Sequence, residues 1–201
     1  MPTPLFVRAA IWLWLLYAVW LGHTRALAGA PAYTYALCVL VPAVVVVIGY
    51  ECLGLVREWL DALDLRMLVF LHTTRYLAVF YLVLLGRGQL PEDFALTIGW
   101  GEIVVASGAL VLSALPLRRA ARLRAIGIWN MLGFAHALLA LVTAARVALG
   151  GDLRMNVFTD LPFSLVPTFV APLALASHVI LYRRLQREAK APPPAGDGIA
   201  D

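Results

Sequence analysis

Charge is scarce in this chain. Only 14% of its 201 residues are Asp, Glu, Lys or Arg, and lysine is almost missing: of 16 basic residues, 15 are arginine and one is Lys190. Soluble domains carry about 25% charge. With 62% hydrophobic residues and a mean hydropathy of +0.85, the chain has more apolar surface than one soluble core can hide. Lipid is the solvent that composition implies. The net charge of +4 does not point to nucleic acid, because the arginines stand at the ends of apolar runs, where membrane topology accounts for them.

Cysteine is equally sparse. Cys38 and Cys52 lie four helical turns apart, about 21 Å along one helix, too far for a disulfide. Zinc-type Cys/His spacing is lacking, and so are HExxH, GxSxG and paired intramembrane aspartates, which argues against an intramembrane enzyme.

Long hydrophobic runs are what the chain does have. A helix crosses the hydrocarbon layer in about 20 apolar residues, and six runs qualify: 7–22, 33–50, 66–86, 94–116, 124–148 and 162–182. The expected fold is therefore all-α, an integral membrane bundle of about six transmembrane helices. The first run has a second reading. Arg8 before it and "ALAGAPA" at 26–32 have the outline of a cleavable signal peptide, whereas Trp12, Trp14 and Trp20 suit an anchored span.

Residues 51–65 combine Leu53, Val56, Leu60 and Leu63 at helical spacing with Glu51, Arg57, Glu58, Asp61 and Asp64. This pattern predicts an amphipathic helix at the cytoplasmic surface, or an extension of the second span. The tail 189–201, rich in Pro, Gly and Ala, is expected to be disordered. Residues 1–188 then form one transmembrane domain.

With six spans, Arg8, Arg57, Arg66, Arg118, Arg119, Arg122, Arg124, Arg183, Arg184, Arg187 and Lys190 share one side, against Arg25, Arg87, Arg146 and Arg154 on the other. The positive-inside rule puts both termini and the 117–124 loop in the cytoplasm of a multi-pass cell-membrane protein. Beyond the bilayer, the expected partners are further copies of the chain or other membrane proteins.

Ionisable groups inside a bilayer are costly and persist when paired, hydrated or used. Arg75, Glu102 and His136 come out at a common midplane, roughly 14–18 Å from the cytoplasmic end, and His72, Asn130 and His178 at roughly 6–9 Å. Glu102 is the single acid expected inside a span, so Arg75 and Glu102 are expected to interact directly or through one water. Either they clamp two helices, or with His136 they form a site handling a proton, an ion or a small anion.

The segment Gly99-Trp100-Gly101-Glu102, the stripe Ala106, Ala109 and Ser113, and a second stripe of Gly133, His136, Ala140 and Ala144 allow close helix approach or line a cavity. In the sixth span Pro167 and Pro172 are expected to kink the helix, with Ser164 and Thr168 among the groups that satisfy the freed carbonyls. His72 and His178, at one depth, are also candidate ligands of a b-type haem or another metal.

Three stretches carry a resemblance: "GRGQLPEDFALTIGWGEI", "WNMLGFAH" and "PFSLVPTFVAPLALASH". Over roughly residues 66–185 the chain resembles an uncharacterised family of small bacterial polytopic membrane proteins whose GWG segment is followed by an acid. Here that acid is Glu102 in place of Asp. The resemblance implies a bacterial inner-membrane, multi-span protein and lends no activity. The leading functional expectation is a small transporter or channel-like protein. The alternatives are a membrane redox subunit binding haem or quinone, and a non-catalytic assembly or interaction protein.

Overall fold

The structure is a computed structural model and describes residues 2–190; most of the tail expected to be disordered, residues 191–201, lies outside them. The fold is an all-α bundle, with no strand among the described residues. Its helices are α1 (Leu5–His23), α2 (Ala32–Cys52), α3 (Gly54–Asp61), α4 (Leu65–Gly86), α5 (Glu92–Ala114), α6 (Arg119–Leu149) and α7 (Val166–Lys190). All but the short α3 are long and apolar enough to cross a membrane.

The outward faces of these helices are apolar. Leu13, Val44, Val104, Met131, Leu132 and Val142 are all exposed, while His72, Arg75, Asn130 and His178 are buried. This inverts the soluble pattern and is compatible with a membrane protein.

Two helix starts differ from the sequence expectation. Residues 119–124 belong to the first turns of α6 rather than to a loop, because Arg, Ala and Leu are strong helix formers whatever their charge. The last helix starts at Val166, not at Pro162, and its first turn, Val166–Val170, is a wide π turn. Pro167 falls within that turn, where no N–H is needed. Pro172 lies one turn further and has no N–H to offer the carbonyl four residues before it. That carbonyl, Thr168 O, instead accepts a hydrogen bond from Trp14 Nε1 at 2.8 Å. Trp14 also meets the Phe169 ring edge-on, with centroids 5.0 Å apart. So α1 docks by meeting a demand created by proline.

α4 departs from α-geometry in its middle, where Leu71–Ala78 form a 3-10 helix. The Thr73 and Thr74 hydroxyls each donate to the carbonyl three residues earlier, at 2.8 Å. In a 3-10 helix residues three apart eclipse one another. Leu65, Leu68, His72, Arg75, Ala78, Tyr81 and Leu84 are all buried as a result, forming one stripe along the bundle interior. The helix ends in a Schellman turn in which Gly88 takes the left-handed conformation (φ +68°), with Gln89 N–H donating to Leu84 O.

The amphipathic segment folds as α3 and is tied to the end of α7. Arg184 Nη1 donates to Leu60 O and Leu63 O at 3.0 and 2.8 Å, and Arg187 Nη1 donates to Asp61 Oδ2 and Tyr50 Oη at 2.9 Å each. At the far end, the 153–159 turn folds inward. Phe158 packs against Tyr81 and Phe94 with centroids 5.7 and 5.6 Å away. Two apolar layers result. One is built around Leu68, Ile126, Trp129 and Leu181 near the termini, and the other around Tyr81, Phe94, Ile98 and Phe158 at the far end.

Candidate functional site

Polar groups from α4, α5, α6 and α7 meet between those two layers. Arg75 is the hub. Its Nε lies 3.3 Å from Glu102 Oε2, off the direction of an N–H bond, so the contact is one of charge rather than a hydrogen bond. Its Nη2 donates to His178 Nε2 at 3.2 Å. Its Nη1 is buried without a partner. On the other side of Glu102, Oε1 stands 3.6 Å from His136 Nε2.

The hydrogen-bond directions fix the tautomer of His178. Arg75 can only donate, so His178 Nε2 accepts and the ring proton sits on Nδ1, where it is donated to Asn130 Oδ1 at 2.8 Å. Asn130 Nδ2 returns a bond to His178 O at 3.0 Å. His72 Nε2 donates to Ser177 Oγ at 2.9 Å, since that hydroxyl spends its own proton on Ala174 O.

The structure thus joins Arg75, Glu102, His136, His178 and Asn130 into one network, with His72 beside it. Depth counted from the expected helix ends separates Arg75 from His178. In the structure α6 begins at Arg119 rather than at 124 and α7 runs on to Lys190 rather than ending at 182, so Asn130 and His178 lie about 16–18 Å from the ends of their helices on the side of the termini, level with Arg75. The three-residue spacing of the 3-10 stretch puts His72 and Arg75 on one face. Two supporting residues fall elsewhere. Ser113 Oγ bonds to Leu110 O of its own helix, and Thr168 Oγ1 bonds to Ser164 O in the π turn.

Glycines make room for this network. A Cβ on Gly101 would lie 2.1 Å from His136 Cε1, one on Gly108 2.8 Å from Trp129 Cδ1, and one on Gly133 2.7 Å from His178 Cε1. The GWG segment and the α6 stripe therefore seat side-chain rings, a role that close backbone packing alone does not describe.

The expectation of a haem held between His72 and His178 does not fit. Bonds of about 2 Å on either side of a metal hold two facing imidazole centroids roughly 6 Å apart, whereas these lie 4.4 Å apart and tilted. Both nitrogens of His178 are also committed to Arg75 and Asn130. Among the described residues, no group of three or more His, Cys, Asp or Glu is placed to hold a metal ion.

Above the network lies a cavity of about 370 Å³, lined by Arg75 and Glu102 at its floor, by Ala137, Ala140, Ala144, Val170 and Leu175 along its walls, and by Gly29, Asp152 and Asn156 from the far-end loops. The α6 stripe thus divides. Gly133 and His136 face other helices, and Ala140 and Ala144 leave open space. On the opposite side of Arg75, the rings of His72, Trp129 and His178 pack together with centroids 4.4–5.7 Å apart and close the bundle.

Fold and site define a helical bundle of six long apolar helices with a charged cluster at the blind end of a one-sided cavity. Residues 32–186 match the family described as Domain of unknown function (DUF8737), and the chain belongs to that family. No curated protein and no solved structure matches it.

Proposed function

We propose that the chain is a small multi-pass transporter of a cytoplasmic membrane, with both termini in the cytoplasm, and that Arg75, Glu102 and His136 handle the transported proton, ion or small anion. The observation that carries this reading is the cavity that stops at a buried ion pair while stacked rings seal the other side. A one-sided cavity ending at mid-depth charges is the shape that one state of an alternating-access protein takes. The charges are buried and functional sites are where such groups are tolerated. The broken start of α7, at Val166–Val170, lines the cavity wall, as irregular backbone does where it borders a cavity. The excess of arginine at the end bearing the termini supports the orientation.

The test is flux. Purified protein in liposomes loaded with a pH-sensitive dye is given a proton gradient and a potassium diffusion potential. Glu102→Gln and Arg75→Ala are expected to change the rate at least tenfold. Rates equal to wild type in both variants overturn the reading.

A further inference from the structure

The transported species is expected to carry charge, and the cavity gives its class. Its walls are mostly apolar, its mouth carries Asp152 paired with Arg154, and its floor is bordered by Arg75, 6% exposed, whose Nη1 is buried without a partner. A buried cationic nitrogen without a partner at the end of an apolar sleeve is complementary to one kind of molecule: an anionic head on an aliphatic tail. At about 30 Å³ per water-sized group, 370 Å³ holds roughly twelve non-hydrogen atoms.

Glu102 complicates this match. Arg75 and Glu102 are together neutral. An anion at Arg75 Nη1 would stand a few ångströms from the Glu102 carboxylate, and at an effective dielectric of about 20 that repulsion weakens binding on the order of a thousandfold. Among the described residues that line the cavity, Arg75 is the one Arg or Lys. Facing Glu102 are Arg75 and Tyr81 from α4 and His136 from α6. Facing Arg75 from α7 is His178, held neutral by its bonds, and Tyr35 of α2 stands on the cavity wall. Relief comes most simply from a proton on Glu102.

We propose that the cavity binds a small amphipathic monoanion, its head on Arg75 and its tail along Ala140, Ala144 and Val170, and that each anion enters with one proton taken up by Glu102. Charge balances: the site is neutral before binding (Arg75 positive, Glu102 negative) and neutral after it (Arg75 positive, Glu102 protonated, anion negative). The proposal rests on reading the cavity as the ligand site, and its test measures binding, so that it fails separately from transport.

The probe is 1-decanesulfonate, whose fourteen non-hydrogen atoms (ten carbons, one sulfur, three oxygens) are near the required size and which does not itself take up a proton near neutral pH. It is titrated calorimetrically into protein in nanodiscs at pH 7, in two buffers of different ionisation enthalpy, with empty nanodiscs subtracted. Wild type is expected to take up one proton per anion. Glu102→Gln is expected to bind at least tenfold tighter and take up none, Arg75→Gln to lose binding at least tenfold, and Ala144→Phe, which fills the sleeve away from the charges, to lose it while eluting as a folded monodisperse particle. Binding without proton uptake in wild type overturns the coupling. Uptake that persists in Glu102→Gln assigns the proton elsewhere and overturns it too. Saturable binding of decanol but not of decanesulfonate overturns the anionic class and leaves the cavity a ligand site. Binding of neither overturns both.

Discussion

Gly133→Ala tests whether the imidazole network sets the helix spacing. An ideal Cβ at Gly133 lies 2.7 Å from His178 Cε1 and 3.2 Å from both His178 Nε2 and Val105 Cγ1. Ordinary contact requires the ring to retreat by about 0.7 Å. The ring is held from two sides, by Asn130 Oδ1 at 2.8 Å and Arg75 Nη2 at 3.2 Å, and a retreat of that size takes at least one of these bonds past hydrogen-bonding distance. Overpacking costs about 1–3 kcal/mol and the lost bond about 0.5–1.5 kcal/mol, so the variant should be destabilised by about 2–4 kcal/mol. For a protein of this length that lowers the melting temperature by about 5–15 °C. Gly127, on the same helix, has nothing within 4 Å of its would-be Cβ. Gly127→Ala should raise stability by about 0.5–1 kcal/mol, through helix propensity and a less flexible unfolded chain. Thermal unfolding of both variants in nanodiscs, followed by tryptophan fluorescence, decides. Shifts of the same sign and size would refute the claim that Gly133 exists to seat His178.

Three further outcomes are expected. Trp14→Phe should cost about 1–2 kcal/mol in thermal unfolding by leaving Thr168 O unpaired, and most of that cost should vanish in a Pro172→Ala background, where a backbone N–H becomes available; an unchanged cost would refute the pairing. Arg75→Met should be destabilised by about 3–5 kcal/mol, since it strands a mostly buried carboxylate, and Arg75→Met with Glu102→Gln should recover part of the loss; a double variant no better than the single one would show that the two charges do not depend on each other. Asp152 is held below its ordinary value of 3.8, first by the hydrogen bond from the Arg154 side chain and then by that from the Arg154 backbone N–H. A depressed carboxylate contributes stability above its unfolded value and loses it as pH falls through the folded one, so the 153–159 turn should loosen progressively below about pH 4 and be indifferent above pH 5; hydrogen exchange in that turn, compared with Asp152→Asn at matched pH, should differ at pH 6, and the difference should shrink as pH falls below about 4.

The bundle was legible because its signal is length: six apolar runs long enough for a bilayer leave little choice of fold. Helix ends were harder to place. RRAARLR reads as a loop by charge and as a helix by propensity, and propensity prevailed in α6. The contact of Arg75 with Glu102 followed from scarcity, since the chain offers no other acid at that depth. The link from Arg75 to His178 did not, because α6 and α7 extend five and eight residues beyond their apolar runs at the end near the termini, which sets Asn130 and His178 deeper than those runs suggest. The 3-10 winding of α4 left a clue in the recurrence of interior positions every third residue, at 72, 75, 78 and 81. The cavity is defined by atoms that Ala140 and Ala144 do not have, and an alanine stripe in a sequence looks the same whether a neighbour fills it or not. In the sequence Trp14 fits an interface anchor, and only the docking of α1 against the π turn of α7 reveals its acceptor, Thr168 O.

The 3-10 stretch has a mechanical consequence. Its eight residues advance about 0.5 Å more and turn about 20° more per residue than an α-helix would. Rewinding them into α form would shorten α4 by about 4 Å and rotate one of its ends against the other by about 160°. α4 is in this respect a screw thread, in which travel along the axis and rotation about it are a single coordinate. Arg75 sits inside the thread and its two partners, Glu102 and His178, stand on other helices. A small change of pitch there would move the guanidinium away from both at once.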